Sequence, residues 1–312
     1  MARSFRYVVV DVFTDVPLAG NQLAVFTDAR EIPEDMLQKV AREMNLSETV
    51  FVYPSGWPEP ATRQRSQDET GSRVPSGRDN DEETVHVYPP ENDGHVKVRI
   101  FTPGAELPFA GHPVLGTAFV LGGPLQLVEI RLETGAGTVP IRLEREGARI
   151  VYGAMRQPPA ASEPFDRKAD LLAALGAEST DLPVELYHQG PGHIFVELDS
   201  PEAVAALTPD FHALALVTGA GAACFAREGR RWKVRDFLPA IGIEEDPATG
   251  SAAGPLALHL ARHGRIAFGE EIEISQGFEI GRPSTLYAVA RSPEDVEVGG
   301  SAVVVARGEF SF

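Results

Sequence analysis

Apolar residues recur along this chain in two periods, and the period switches repeatedly. Tyr7–Phe13 and Leu23–Phe26 are short apolar runs that predict strands. Over Pro33–Met44 the residues Met36, Leu37, Val40, Ala41 and Met44 share one face at helical spacing, with Pro33 at the start, and predict a helix. Thr49–Tyr53 predicts a strand again. From Pro54 to about Gly94 the pattern fails, and proline, glycine, serine and charge dominate, as in Arg78-Asp79-Asn80-Asp81-Glu82-Glu83. Such a stretch cannot bury enough apolar surface to offset the entropy of ordering. It is expected to be an inserted surface loop, disordered in part, with a short strand at Thr84–Tyr88.

Order returns with a strand at Val96–Phe101 and a helix at Pro113–Leu121, expected to stop at Gly122-Gly123-Pro124. Strands follow at Leu125–Glu133 and Thr138–Glu144. A second half opens near Arg149–Met155. Its expected helices are Asp166–Leu175, closed by Gly176, then Pro201–Leu207 with Ser200 as N-cap, and Ser251–His263, closed by Gly264. Its expected strands are Val184–His188, His193–Leu198, Ala222–Ala226, Trp232–Leu238, Glu271–Gln276, Thr285–Ala290 and Ala302–Arg307. The class is α+β. A length of 312 residues fits two domains of about 150 each, drawn at 1–148 and 149–312, with the last strands free to cross back into the first.

The two halves echo each other. Arg99-Ile100-Phe101-Thr102-Pro103 matches Arg235-Asp236-Phe237-Leu238-Pro239, and each is followed by an acidic loop and a glycine-plus-polar pair at a helix start. The pairs are Gly111-His112 and Gly250-Ser251. A helix N-terminus presents unsatisfied N–H groups and partial positive charge, so two of them across one cleft would suit a carboxylate. The plain alternatives are a capping His112 and an ordinary N-cap Ser251. Asp246, five residues ahead of Ser251, is either a turn former or a group that orients His112 or binds an amine.

Glu48 lies at the seam between a helix and an apolar strand, in Asn45-Leu46-Ser47-Glu48-Thr49-Val50-Phe51-Val52. A glutamate is rarely buried without a role. Burial disfavours the ionised form of a carboxylate and makes it a candidate proton carrier. The alternative is a solvated glutamate at a strand edge.

Composition narrows the function. The formal charge of −17 would repel a phosphate backbone, so no nucleic-acid partner is expected. No apolar run reaches membrane length and no secretory signal opens the chain, so no membrane association and a cytoplasmic location are expected. The single cysteine, Cys224, sits in an apolar context expected to bury an inert thiol. One thiol cannot supply a two-thiol racemase mechanism. His259 and His263 have the spacing of a zinc pair, but no glutamate lies between them, and a solvated helix face is the expectation; no metal site is expected.

The segments Gly20-Asn21-Gln22-Leu23, Ala41–Glu48, Glu106–Pro113, Tyr187–Pro191, Glu245–Gly254 and Gly281–Ser284, with the Gly-His-Pro and Asp-Pro-Ala-Thr-Gly-Ser-Ala motifs, closely resemble the phenazine-biosynthesis isomerase (PhzF-like) family over nearly the whole chain. The resemblance implies a diaminopimelate-epimerase-like fold. Two similar domains, each a curved, mostly antiparallel sheet or barrel around a central helix, would flank a cleft. It implies Glu48 as general acid/base, with His112 and Asp246 as further catalytic residues. It implies Ser47, Gly111, Gly250, Ser251 and Ala252 as substrate contacts. The implied reaction isomerises trans-2,3-dihydro-3-hydroxyanthranilate, a small anionic amino-cyclohexadiene carboxylate. It needs no cofactor and no metal, and moves a proton from C3 to C1 in a homodimer. An isomerase of another small acid, or a binding protein on the same fold, is the alternative. Two departures stand out: the insertion, and Gly192 where the family pattern has a basic residue.

Overall fold

The computed structural model describes residues 3–57 and 95–312. Most of the insertion, with its expected strand at Thr84–Tyr88, lies outside the described residues.

Strand pairing repeats between the halves. In the first, Ser4–Val12 runs antiparallel to Asn21–Phe26, which is parallel to Glu48–Pro54. The ladder continues antiparallel to His95–Phe101, parallel to Glu129–Thr134, then antiparallel through Gly137–Glu146 to Arg149–Arg156. The second half repeats each step: Glu185–His188, His193–Glu197, Gly221–Glu228, Arg231–Leu238, Glu271–Gln276, Ser284–Ser292 and Asp295–Gly300 pair in the same order and the same senses. Short strands Glu106–Leu107 and Ile243–Asp246 hang from matching positions. The halves join where Asp295–Gly300 pairs with Arg149–Arg156. The last strand, Ala302–Ser311, crosses back onto Ser4–Val12, in the position that Ala161–Pro164 holds in the second half.

A helix runs up the middle of each half, Gly111–Leu125 in the first and Gly250–Arg262 in the second. Gly111 to Gly122 and Gly250 to Ala261 are buried throughout. That is the state expected of a helix with no polar stripe. Val114, Leu115, Leu256 and Leu260 pack with strand residues of both halves in one core. A smaller core gathers Leu171, Leu175, Val204 and Leu214, and a third lies beneath the helix Glu34–Met44.

The expected stop at Gly122-Gly123-Pro124 is corrected: the helix continues to Leu125 and turns at Gln126, whose φ is 55°. Gly122 serves packing rather than termination, because a Cβ there would collide with the Leu143 side chain. Arg145 reinforces the helix end by donating to the carbonyls of Gly122 and Leu127. Several short elements escaped the sequence pattern, among them the helix Phe211–Val217 and the strand Asp295–Gly300. Each is too short for a period to show. Among the described residues no helix is long and apolar enough to cross a membrane.

Candidate active site

The two central helices meet head to head. A Cβ on Gly111 would strike the backbone of Gly250 and Ser251, and one on Gly250 would come within 3.0 Å of Gly111 C and His112 N. Only glycine lets the two N-termini come this close. Neither start carries a side-chain cap: Ala110 and Thr249 are the N-cap residues, and neither donates or accepts a capping bond. Ser251 is therefore not the N-cap. Its hydroxyl faces His193 Nε2 at 2.9 Å instead. Phe13, held at a φ of 63° with its ring edge against Gly250, backs the junction. A bulky residue there is strained and persists because its N–H donates to Ser301 O and its carbonyl accepts from Thr285.

Around this junction lies a pocket lined by Glu48, Gly111, His112, Asp246, Thr249, Gly250 and Ser251, closed by Leu107, Pro191, Leu238, Ile241 and Ile243. Glu48, His112 and Asp246 are 7%, 3% and 5% exposed. Glu48 is thus a buried carboxylate, not a solvated strand edge. Its Oε2 stands 3.1 Å from His112 Nε2. Neither atom has an in-line hydrogen bond, so the two are in close charge contact while each retains bonding capacity toward the pocket. Burial alone would lower the His112 imidazole. Glu48, Asp246 and the Gln22 backbone together outweigh it and raise the group above its ordinary value. The pair puts a carboxyl group beside an imidazole on the pocket wall, where both can reach a bound molecule.

Asp246 is fixed from both sides. Its Oδ1 accepts from Asn21 Nδ2 at 2.8 Å and its Oδ2 from Thr249 Oγ1 at 2.7 Å. Gln276 Nε2 donates to the Asp246 carbonyl and to Thr249 Oγ1, while its Oε1 accepts from the Thr249 N–H. Asn21 Nδ2 also lies 3.2 Å from His112 Nδ1 and 2.9 Å from the Ala248 carbonyl, so one amide ties both acidic-site residues together. Burial, then the nearby Glu48, pushes the Asp246 carboxyl up to about 6, against the opposing pull of His112. Arg282 steadies the loop ahead of Asn21 through Asp11 Oδ1 at 2.7 Å and the carbonyls of Ala19 and Gly20.

Of the residues expected at the site, Glu48, Gly111, His112, Asp246, Gly250 and Ser251 come together on the pocket wall. Ser47 is half-buried in the preceding turn. Ala252 lies inside the helix with its amide committed to Thr249 O. Residues the sequence did not single out are Asn21, Thr249, Gln276, His193 and Asp236. Only Asp236 carried a signal, as the one acid in a strand of basic and apolar residues. Cys224 is fully buried and its thiol is pushed far up by desolvation, then by Asp236.

The expectation of a solvated face for His259 and His263 is overturned. His259 is fully buried, and Glu185 Oε2 faces His259 Nδ1 at 3.2 Å and His263 Nε2 at 2.9 Å, with Tyr187 Oη donating to the same oxygen at 3.1 Å. The strand Glu185–His188 supplies the carboxylate missing from the helix, and burial, then His263, lowers His259 to about 4.

A family model described as "Phenazine biosynthesis-like protein" matches residues 10–66 and 78–308. The chain belongs to the phenazine biosynthesis-like family. Within that family, a Pseudomonas aeruginosa protein named trans-2,3-dihydro-3-hydroxyanthranilate isomerase is 45% identical over 97% of this chain and 98% of its own. A Pseudomonas fluorescens protein of the same name is 44% identical, again over 97% and 98%. Among solved structures, one from Pseudomonas aeruginosa named a predicted epimerase shares 27% identity and a TM-score of 0.75 over 98% of this chain and 99% of that one. A hydroxyproline epimerase from Agrobacterium vitis, at 12% identity with a TM-score of 0.60 over 99% and 93%, shows the wider fold alone. The epimerase-like α+β architecture expected from the motifs is the one found.

Proposed function

We propose that this chain is an isomerase of trans-2,3-dihydro-3-hydroxyanthranilate, with Glu48 moving a proton from C3 to C1. The observation that carries the reading is the Glu48–His112 contact, 3.1 Å long, in a closed pocket between two glycine-opened helix starts. A relative named for this reaction aligns end to end with the chain.

The chemistry follows from the groups present. Glu48, beside the His112 imidazole, takes the C3 proton as general base. The same carboxyl, now an acid, returns it at C1. One carrier suffices because the proton only moves between two carbons of a bound ring. Negative charge developing on the ring and its carboxylate faces two helix N-termini, which are already oriented before the reaction starts. Asp246 and His112 are the acceptor and donor for the amine and hydroxyl. Closure by Leu107, Pro191, Leu238, Ile241 and Ile243 keeps water from exchanging the travelling proton. Each chain holds a complete set of these residues. A cytoplasmic homodimer, with domains meeting near 148/149, belongs to the same reading.

The test is turnover of the purified protein with dihydro-hydroxyanthranilate, followed by loss of the diene absorbance, with no metal or cofactor added. Substrate deuterated at C3 is expected to carry label into C1 of the product. Absence of turnover sinks the reading, and turnover with complete washout of label removes the single carrier.

The pH dependence has a defined sign. Asp246 is raised from 3.8 to about 6 in the folded protein, so its contribution to stability is full below 3.8 and lost as pH rises through about 6. His112 is raised above 6.5; its contribution is full below that value and lost as pH climbs through the higher folded one. Activity needs Asp246 as an acceptor and therefore runs the other way on the acid side. The value of kcat/KM is expected to fall below about pH 6, approaching tenfold per unit. A profile flat from pH 5 to 7 would remove Asp246 from substrate binding.

A further inference from the structure

The repeat between the halves permits a residue-by-residue comparison. Thr49 pairs with Phe101 and Ala24, as Ala222 pairs with Phe237 and Ile194. With Phe101 matched to Phe237, Glu48 corresponds to Gly221, Leu23 to His193 and Ile100 to Asp236. By the helix starts, His112 corresponds to Ser251.

In the first half, Leu23 and Ile100 are buried hydrocarbons in the core around the central helix. The second half puts an imidazole and a carboxylate in those two places, both 0% exposed. Packing does not demand this, since Leu23 and Ile100 fill the matching sites with apolar groups. Glycine at 221 is what makes room. A Cβ there would come within 2.8 Å of His193 Nδ1 and 2.9 Å of Asp236 Oδ1.

Neither Asp236 oxygen has an in-line hydrogen-bond partner among the described residues, and His193 Nδ1 faces Oδ2 at 3.1 Å. A buried carboxylate in this state is retained at a cost to stability and points to a functional role. From Asp236 the polar contacts run in one direction: to His193 Nδ1, then from His193 Nε2 to Ser251 Oγ at 2.9 Å, and Ser251 stands on the pocket wall.

We propose that His193 and Asp236 are positioning residues that turn the Ser251 hydroxyl so that its hydrogen goes to His193 and its oxygen accepts from the substrate's amine. Asp236 keeps a proton on Nδ1 and thereby selects which imidazole nitrogen addresses Ser251. A carboxylate fixes the tautomer of a catalytic histidine in the same way in hydrolytic triads. Here the histidine anchors a binding hydroxyl, and no bond to Ser251 is formed or broken. The two halves then carry complementary devices at matched places. Glu48 beside His112 moves the proton, and Asp236 behind His193 and Ser251 holds the molecule from which it moves. This inference rests on the proposed reaction.

The test uses Asp236→Asn, which keeps size and shape, and His193→Gln. Each is expected to raise KM about tenfold or more, the loss of one hydrogen bond to a charged group, with kcat changed little. Ser251→Ala is expected to raise KM similarly, and adding Asp236→Asn to it should change nothing further, because the two act as one unit. The ¹⁵N shifts of His193 are expected to report Nδ1–H in the parent and a changed tautomer in Asp236→Asn. A purely structural pair would instead lower the thermal midpoint and leave KM alone. Parent KM in both single variants, or an undiminished effect of Asp236→Asn on top of Ser251→Ala, overturns the proposal. If the parent fails to turn over dihydro-hydroxyanthranilate, the proposed function falls. Calorimetric affinity for 3-hydroxyanthranilate and the His193 tautomer then decide the positioning claim: an unchanged affinity and tautomer in Asp236→Asn overturn it.

Discussion

Glu48→Gln is expected to lower kcat on the order of 10³-fold, within the range contributed by general acid–base catalysis, with KM nearly unchanged. The amide has the shape of the carboxyl and leaves the pocket walls in place, but it cannot take a proton from carbon at any useful rate. A second effect follows from the geometry. Glu48 is the largest of the charges that hold the His112 imidazole above its ordinary value against burial. With Glu48 neutralised, burial gains the upper hand and the imidazole titrates at lower pH. The variant should therefore lose turnover and show an earlier His112 titration by NMR. Turnover within tenfold of the parent would take the proton-carrying role away from Glu48, whatever the histidine does.

Gly111→Ala should be the most damaging of the small substitutions. Its methyl group would enter the backbone of Gly250 and Ser251, and backbone cannot rotate aside as a side chain can. Forced overpacking typically costs about 1–3 kcal/mol. Separating the helix starts by about 1 Å also displaces His112 from Glu48 and Ser251 from the substrate, a misplacement that can cost about 10²-fold in rate. Gly250→Ala makes a useful control, because the contacts it would meet begin at 3.0 Å and its penalty should be smaller in both measures. Urea midpoints and kcat/KM on the two variants check this ordering. A Gly111→Ala protein as stable and active as the parent would mean that the two helix ends are not held in fixed contact.

Much of this architecture was legible in the sequence because period and punctuation carried it. The amphipathic helix Glu34–Met44 and the apolar strand Glu271–Gln276 were expected nearly to the residue. The repeated Arg-x-Phe-x-Pro segments and the paired glycines disclosed the duplication before any pairing was known. Glu48, His112 and Asp246 were expected from position and resemblance, and they converge. The groups that hold them were not legible. Asn21 joins His112 to Asp246 across 91 and 225 residues of chain, and nothing in local pattern marks a residue whose partners are so distant. Gly122 misled because a glycine against the Leu143 side chain looks the same in sequence as one that ends a helix. His259 misled for a related reason: its third partner, Glu185, comes from a strand far upstream. The identity of Asp236 was visible, but its meaning emerged only when the second half was aligned on the first.

The crossing of Ala302–Ser311 back onto Ser4–Val12 sets the order in which the protein can be completed during synthesis. The strand carrying Glu48 and its neighbours leave the ribosome early, yet the sheet they belong to keeps an open edge on Ser4–Val12 until the residues at 302–311 arrive. Unpaired edges invite association with other chains. The second half needs no such wait, since Ala161–Pro164 precedes the strand it covers. The half bearing the proton carrier is thus expected to keep one open strand edge in the nascent chain until the last strand pairs.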